Sequence, residues 1–162
     1  MNEDAKPEYS RFDEMPKVTF RVQGEPFGKL NMRPTKINGH ATLYNPPANV
    51  RYMYEVQKEL FSVVDPLNFR DEKSCFHVEI EAFLQIPASK SAKKKREMAL
   101  TSCPKKPDCD NISKAILDAI TKAGNVWRDD SQVASIYVRK RWAREAPYTE
   151  VTIIKEAREA FE

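Results

Sequence analysis

No stretch of this 162-residue chain is apolar for anything like the ~18 residues that a membrane-spanning helix needs. The N-terminus, MNEDAKPEYSRFDE, is acidic and polar, the opposite of a secretory signal, so a cytoplasmic address is expected. Cysteine is scarce. Cys75, Cys103 and Cys109 form no CxxC pair, and the two histidines, His40 and His77, stand far from any paired thiol. That speaks against a zinc site, and reduced, buried thiols are expected instead. Internal repeats and low-complexity tracts are also missing. What remains is 41% hydrophobic and 31% charged, too apolar for a disordered chain and long enough for one domain with a sizeable core.

A large net charge is absent too, at +3 overall, but the charge is unevenly placed. Between residues 90 and 106 lie Lys90, Lys93, Lys94, Lys95, Arg96, Lys105 and Lys106 against Glu97 alone. The rest of the chain carries a small excess of acid. One concentrated basic segment on a near-neutral body suits a polyanionic partner, whereas a lone KKKR would be read as a solvated loop.

Residues 1–15 show no apolar periodicity and are expected to form a flexible N-terminal arm ahead of a single domain over 16–162. KVTFRVQGEP (17–26) alternates Val18, Phe20 and Val22 with polar residues, the pattern of a strand. In residues 27–47 the Asn38-Gly39 pair signals a hairpin or ordered loop, and Lys29, Arg33, Lys36 and Tyr44 occur there with no acid. A helix is expected over about 49–63, with Tyr52, Val56, Leu60 and Val63 on its core side. A strand follows over 74–87 and a short basic helix over 91–100. The second main helix, 108–123, has Ile112, Ile116, Ile120 and Ala123 on one face and Asp110, Lys114 and Asp118 on the other, with Gly124 ending it. Two alternating strands, 132–142 and 148–156, close the chain. The order βββαβααββ predicts an α+β domain, one mixed sheet with helices packed against it.

The stretch KPDCDNISKAILDAITKAGNVWRDDSQV (106–133) holds the acids that need explaining. One aspartate suffices to cap a helix, yet Asp108 and Asp110 both stand at this helix start. Asp129 and Asp130 follow after the helix. If the RDDS turn comes back beside the helix start, the four carboxylates form a ligand set for Mg²⁺, with Mn²⁺ as a substitute. Such an ion can polarise a phosphodiester and supply hydroxide for in-line attack. Lys114, one turn after Asp110, is placed to steady a phosphate. Its plainer role is an i,i+4 ion pair. Trp127 and Trp142 are expected to be packed inside rather than stacked on a base.

The same stretch resembles, closely, the signature KPDxDNxxKaxxDal…vWxDDxQV of RusA-type Holliday junction resolvases. VQGEPFGKLNMRP is similar to that family's opening strand and loop, TLYNPP to the lead-in of its first helix, and FLQIPASKSAKKKREM to its strand and basic stretch. The likeness spans residues 17 to 155. It implies a RusA-like fold and a homodimeric, Mg²⁺-dependent endodeoxyribonuclease that binds four-way DNA junctions and nicks opposed strands symmetrically. By motif position it implies Asp108, Asp110 and Asp130 as essential metal-binding carboxylates, Asp129 as a supporting acid and Lys114 as a catalytic-site lysine. Asn111 is expected to order the helix start. DNA contacts are expected from Lys29, Arg33, Lys93, Lys94, Lys95, Arg96, Lys105 and Lys106. Two departures stand out: KLNMRP replaces a denser basic run such as KGRPR, and Cys109 sits where an aliphatic residue is usual. The alternative is a non-catalytic, branched-DNA-binding module of the same fold.

Overall fold

The computed structural model of the chain describes residues 12–156. Most of the expected flexible arm therefore lies outside the described residues. Alternation builds the sheet. In β1 (Lys17–Gln23) Val18, Phe20 and Val22 point inward and every other residue is exposed. The hairpin strands are β2 (Arg33–Ile37) and β3 (His40–Tyr44). Helix α1 (Pro47–Val64) follows, opened by the Pro46-Pro47 pair and burying Val56, Leu60 and Val64. Then come β4 (Cys75–Leu84), the basic helix α2 (Ala92–Met98), α3 (Cys109–Ala123), β5 (Val133–Trp142) and β6 (Tyr148–Glu156).

The four-stranded sheet has the order β1-β6-β4-β5, while β2 and β3 pair only with each other. Strands β1 and β4 each run antiparallel to β6, and β4 runs parallel to β5. A parallel pair needs a crossover, and the β4–α2–α3–β5 segment supplies it. The expected α+β domain with a mixed sheet is thus the fold, except that β2 and β3 stand apart as a separate hairpin. Helices α1 and α3 pack on each other and on one face of the sheet. Among the described residues no helix is long and apolar enough to cross a membrane.

The core confirms the apolar stripes. Ile112, Ile116 and Ile120 of α3 are fully buried with Leu60 of α1 and Ile80 of β4. Gly124 ends α3 in the left-handed region at φ 70°, where a side chain would be strained. Trp127 is completely buried, its indole N–H donating to Thr121 Oγ1 at 2.8 Å and its ring packed on Phe76, so it is unavailable to DNA. Trp142 is partly buried against the same core. The cysteines match expectation only in part. All three are free and Cys103 is buried, but Cys75 is exposed because the strand's alternation begins there on the solvent side.

One corner of the domain is held by a single carboxylate. Asp71 Oδ1 accepts from the backbone N–H groups of Lys73 and Ser74, Oδ2 accepts from the Ser74 hydroxyl, and the Lys155 ammonium lies 3.5 Å away. The Lys73 N–H foremost, with Ser74 and Lys155, holds this carboxyl well below the ordinary range, at about 2. A depressed folded pKa stabilises the fold above the ordinary carboxylate range, and that contribution disappears as pH falls through about 2. Thermal melts between about pH 5 and pH 2 should show wild type losing stability more steeply than Asp71→Asn. Parallel curves would remove Asp71 as the anchor.

Candidate active site

Helix α3 begins at the end of the sheet where β4 and β5 finish. Asp108 occupies its N-cap position with extended backbone, yet its side chain accepts no capping hydrogen bond. Its backbone carbonyl receives the Ile112 N–H at 3.0 Å, so the helix starts without help from the carboxylate. Asp110, in the first turn, is exposed, and the partner of its carboxylate on the helix is Lys114 Nζ at 3.4 Å. Negative charge there opposes the positive end of the helix dipole. Two exposed carboxylates two residues apart thus stand at the helix start, one unused as a cap and the other ion-paired at the surface to Lys114.

The loop after β1 fixes this helix start. A Cβ on Gly28 would lie 2.6 Å from Cβ of Pro107, closer than side chains tolerate, and a tight 3.3 Å from Cβ of Asn111. Glycine is what lets the loop lie on α3. The Lys29 N–H then donates to the Asn111 carbonyl at 2.9 Å. Asn49, buried in the first turn of α1, closes the clamp: its side chain accepts from the Leu30 N–H and donates to the Leu30 carbonyl, both at 2.9 Å, and also donates to Asn45 Oδ1. The sequence places a helix start at about residue 49 but gives Asn49 itself no role. A polar residue immediately behind Pro-Pro-Ala in an otherwise apolar stripe was the available signal.

Asp129 and Asp130 are both exposed, but they lie elsewhere. Asp129 accepts from the Ser131 N–H at 2.9 Å, and Ser131 keeps its carboxyl below the ordinary range. Their turn is tethered on both sides to the Asp71 corner. The Val126 carbonyl accepts from the Asp71 N–H, and the Gln132 amide donates to the carbonyls of Asp71 and Ser74 at 3.0 Å. Gln132 also accepts from the Arg128 N–H, and Val133 pairs with Phe76 at the beginning of β4. That corner adjoins the C-terminal end of α3, whose 15 residues rise ~22 Å. The structure therefore brings Asp108 together with Asp110, and Asp129 with Asp130, but does not bring the two pairs together. The Gln132 and Val126 hydrogen bonds hold the RDDS turn at the Asp71 corner.

The donor chemistry of Asp108 and Asp110 fits Mg²⁺, which is commonly held by one or two carboxylates and keeps waters for substrate phosphates. A closed cage is a different matter. Among the described residues no three His, Cys, Asp or Glu side chains are grouped to hold a metal ion.

Several of the basic residues lie on the segment that leads into the Asp108–Asp110 helix start. Ser91 caps α2 by accepting from the Lys94 N–H, which presents Lys93, Lys94 and Arg96 to solvent, with Lys95 half-buried. Residues 100–103 run along the end of β5, with Leu100 N–H to Trp142 O at 2.9 Å and Cys103 N–H to Lys140 O at 3.1 Å. Lys105 and Lys106 are exposed just before Asp108. Arg33 is exposed on the hairpin. Lys29 differs from its expected neighbours: its ammonium is half-buried and ion-paired to Asp118 on α3. It therefore joins loop to helix rather than facing solvent.

The sequence profile of the family described as "Endodeoxyribonuclease RusA" matches residues 23–154. The chain is also 29% identical over 138 residues to "Uncharacterized protein YqaN" of Bacillus subtilis (strain 168), an alignment covering 84% of this chain and 94% of the relative.

Proposed function

Because this chain belongs to the RusA endodeoxyribonuclease family, we propose that it is a Mg²⁺-dependent, structure-selective nuclease that resolves four-way DNA junctions by symmetric nicking. The observation that carries the reading is Asp108, whose carboxylate caps nothing, beside Asp110: two exposed carboxylates at one helix start, with exposed Lys105 and Lys106 just before them in the chain. When bound, the cation polarises the phosphodiester and lowers the pKa of an attacking water. The chain's own residues do the rest. Asp108 and Asp110 hold the ion, with Mn²⁺ as a substitute, and Lys114 turns from Asp110 toward the scissile phosphate to balance its developing charge.

Cutting two opposed strands of a symmetric junction calls for two sites related by a two-fold axis, hence a homodimer. In that dimer Asp130, supported by Asp129, completes the carboxylate set from the partner chain, because in its own chain it is tethered at the far end of α3. Lys93, Lys94, Lys95, Arg96, Lys105, Lys106 and Arg33 hold phosphate backbones, a contact that is salt-dependent and blind to sequence.

The separation of the two acidic pairs favours a second reading, a branched-DNA-binding module without catalysis. Incubating the protein with a synthetic four-way junction and a matched linear duplex, in Mg²⁺ and in EDTA, separates the two. Paired nicks across the junction that need metal support the nuclease. Tight junction binding with no cuts in any divalent metal supports the module.

Changing Lys93, Lys94 and Lys95 to Ala should weaken junction binding at low salt. It should also flatten the slope of log K against log[salt] by about two to three. An unchanged slope removes α2 from the DNA interface.

A further inference from the structure

Among the described residues the β2–β3 hairpin has no partner in the other strands. A two-stranded ribbon is marginally stable in water, yet this one leaves apolar side chains open on both faces. Ile37 and Leu43 are each 60% exposed, and Met32 and Tyr44 are open as well. Its tip is stiff. Asn38 and Gly39 both take positive φ, 50° and 81°, the turn whose twist matches a hairpin. Its root is fixed on the candidate site by the Lys29–Asn111 hydrogen bond, the Gly28–Pro107 approach and the Asn49 clamp. Wherever α3 places Asp108 and Asp110, the hairpin goes too.

The charge of this arm selects its partner. Between Glu25 and Glu55 there is no acid, while Lys36 adjoins the exposed Ile37 at the tip and Arg33 pairs with Tyr44 at the root. An apolar tip flanked by cations and free of anions complements a nucleic acid with unstacked bases. Two such arms would repel each other in a protein–protein contact. A continuous duplex offers the tip only phosphates and stacked base pairs. A branch point exposes base faces, where an aliphatic wedge and an aromatic ring gain contact.

We propose that the β2–β3 hairpin is the element that distinguishes branched from linear DNA: Ile37 at the tip wedges against an unstacked base at the branch point, Tyr44, four pairs back at the root, stacks on a separate base, and Lys36 and Arg33 take the phosphates beside each. This rests on the junction reading above and names the part of the chain that enforces it.

The test is Ile37→Ser in the full chain, titrated in EDTA against a four-way junction carrying 2-aminopurine beside the branch point, and against the matched duplex. Junction affinity should fall about tenfold and duplex affinity change by less than about twofold. The 2-aminopurine response seen with wild type should disappear. Because Ile37 is exposed, the melting temperature should not move, and Leu43→Ser provides a second variant on the other face of the hairpin. Unchanged junction affinity in both variants, or equal losses on junction and duplex, overturns the proposal while leaving the nuclease reading intact. A shift from dimer to monomer in sedimentation overturns it in favour of an intersubunit arm. Wild type that neither prefers nor cuts the junction overturns the nuclease reading and this inference with it.

Discussion

Asp110→Asn should abolish junction cleavage while junction binding persists or tightens. The substitution is nearly isosteric, and Asp110 is exposed and ion-paired to Lys114 at the surface, so nothing in the core changes. Its structural cost is the loss of one first-turn anion at the helix N-terminus, about 0.3–1 kcal/mol at most. The catalytic cost is larger. A neutral amide is a poor ligand for a hard divalent cation, and removing a group that organises transition-state charge costs ~10²–10³-fold or more in rate. Binding moves the other way because Asp110 is an anion facing phosphates, a repulsion of about 1 kcal/mol or less in water. Quantifying nicked strands and the dissociation constant on one junction preparation checks both limbs. Loss of binding together with activity would instead make Asp110 a scaffold residue.

Much of this fold is legible in the sequence because its elements are set by local periodicity. The alternation in KVTFRVQ and the four-residue spacing of Ile112, Ile116 and Ile120 each state which side faces the core, and the core lies there. Asn38-Gly39 announced a turn that needs two positive φ values, and it has them. What periodicity does not encode is where one element stops relative to another. The acids at 108–110 and 129–130 look like one site when read along the motif. The side chain that holds the second pair away is Gln132, which binds two carbonyls at the Asp71 corner, and nothing local in DDSQV announces that long-range bond. Lys29 is similar. Its charge was visible, but its pairing with Asp118 arises only once the loop crosses α3 at Gly28. The hairpin's independence was hidden because its strands carry apolar residues on both faces and so name no core side.

The separation of the acids makes a second large effect testable. Asp110→Asn and Asp130→Asn homodimers should each be inactive, yet mixing them under conditions that exchange subunits should restore cleavage. In a mixed dimer one site collects both substitutions, one from each chain, and is doubly disabled. The other combines intact Asp108 and Asp110 of one chain with intact Asp130 of the other. Random exchange leaves about a quarter of all sites intact, so activity should return to roughly that fraction of wild type from essentially none. Because no mixed dimer has two working sites, the products should be single nicks rather than the paired cuts that resolve a junction. If each chain instead built its site from its own acids, each site of a mixed dimer would contain a defect and the mixture would stay dead. An Asp130→Asn homodimer with full activity would remove Asp130 from the chemistry and leave Asp108 and Asp110 as the metal's carboxylates. The tethers at Val126 and Gln132 are the physical ground for expecting the first outcome. They tie Asp130 to the corner beside the C-terminal end of α3, a helix ~22 Å long, whereas Asp108 and Asp110 stand at its start, so under the proposed function it is the partner chain's Asp130 that completes the site.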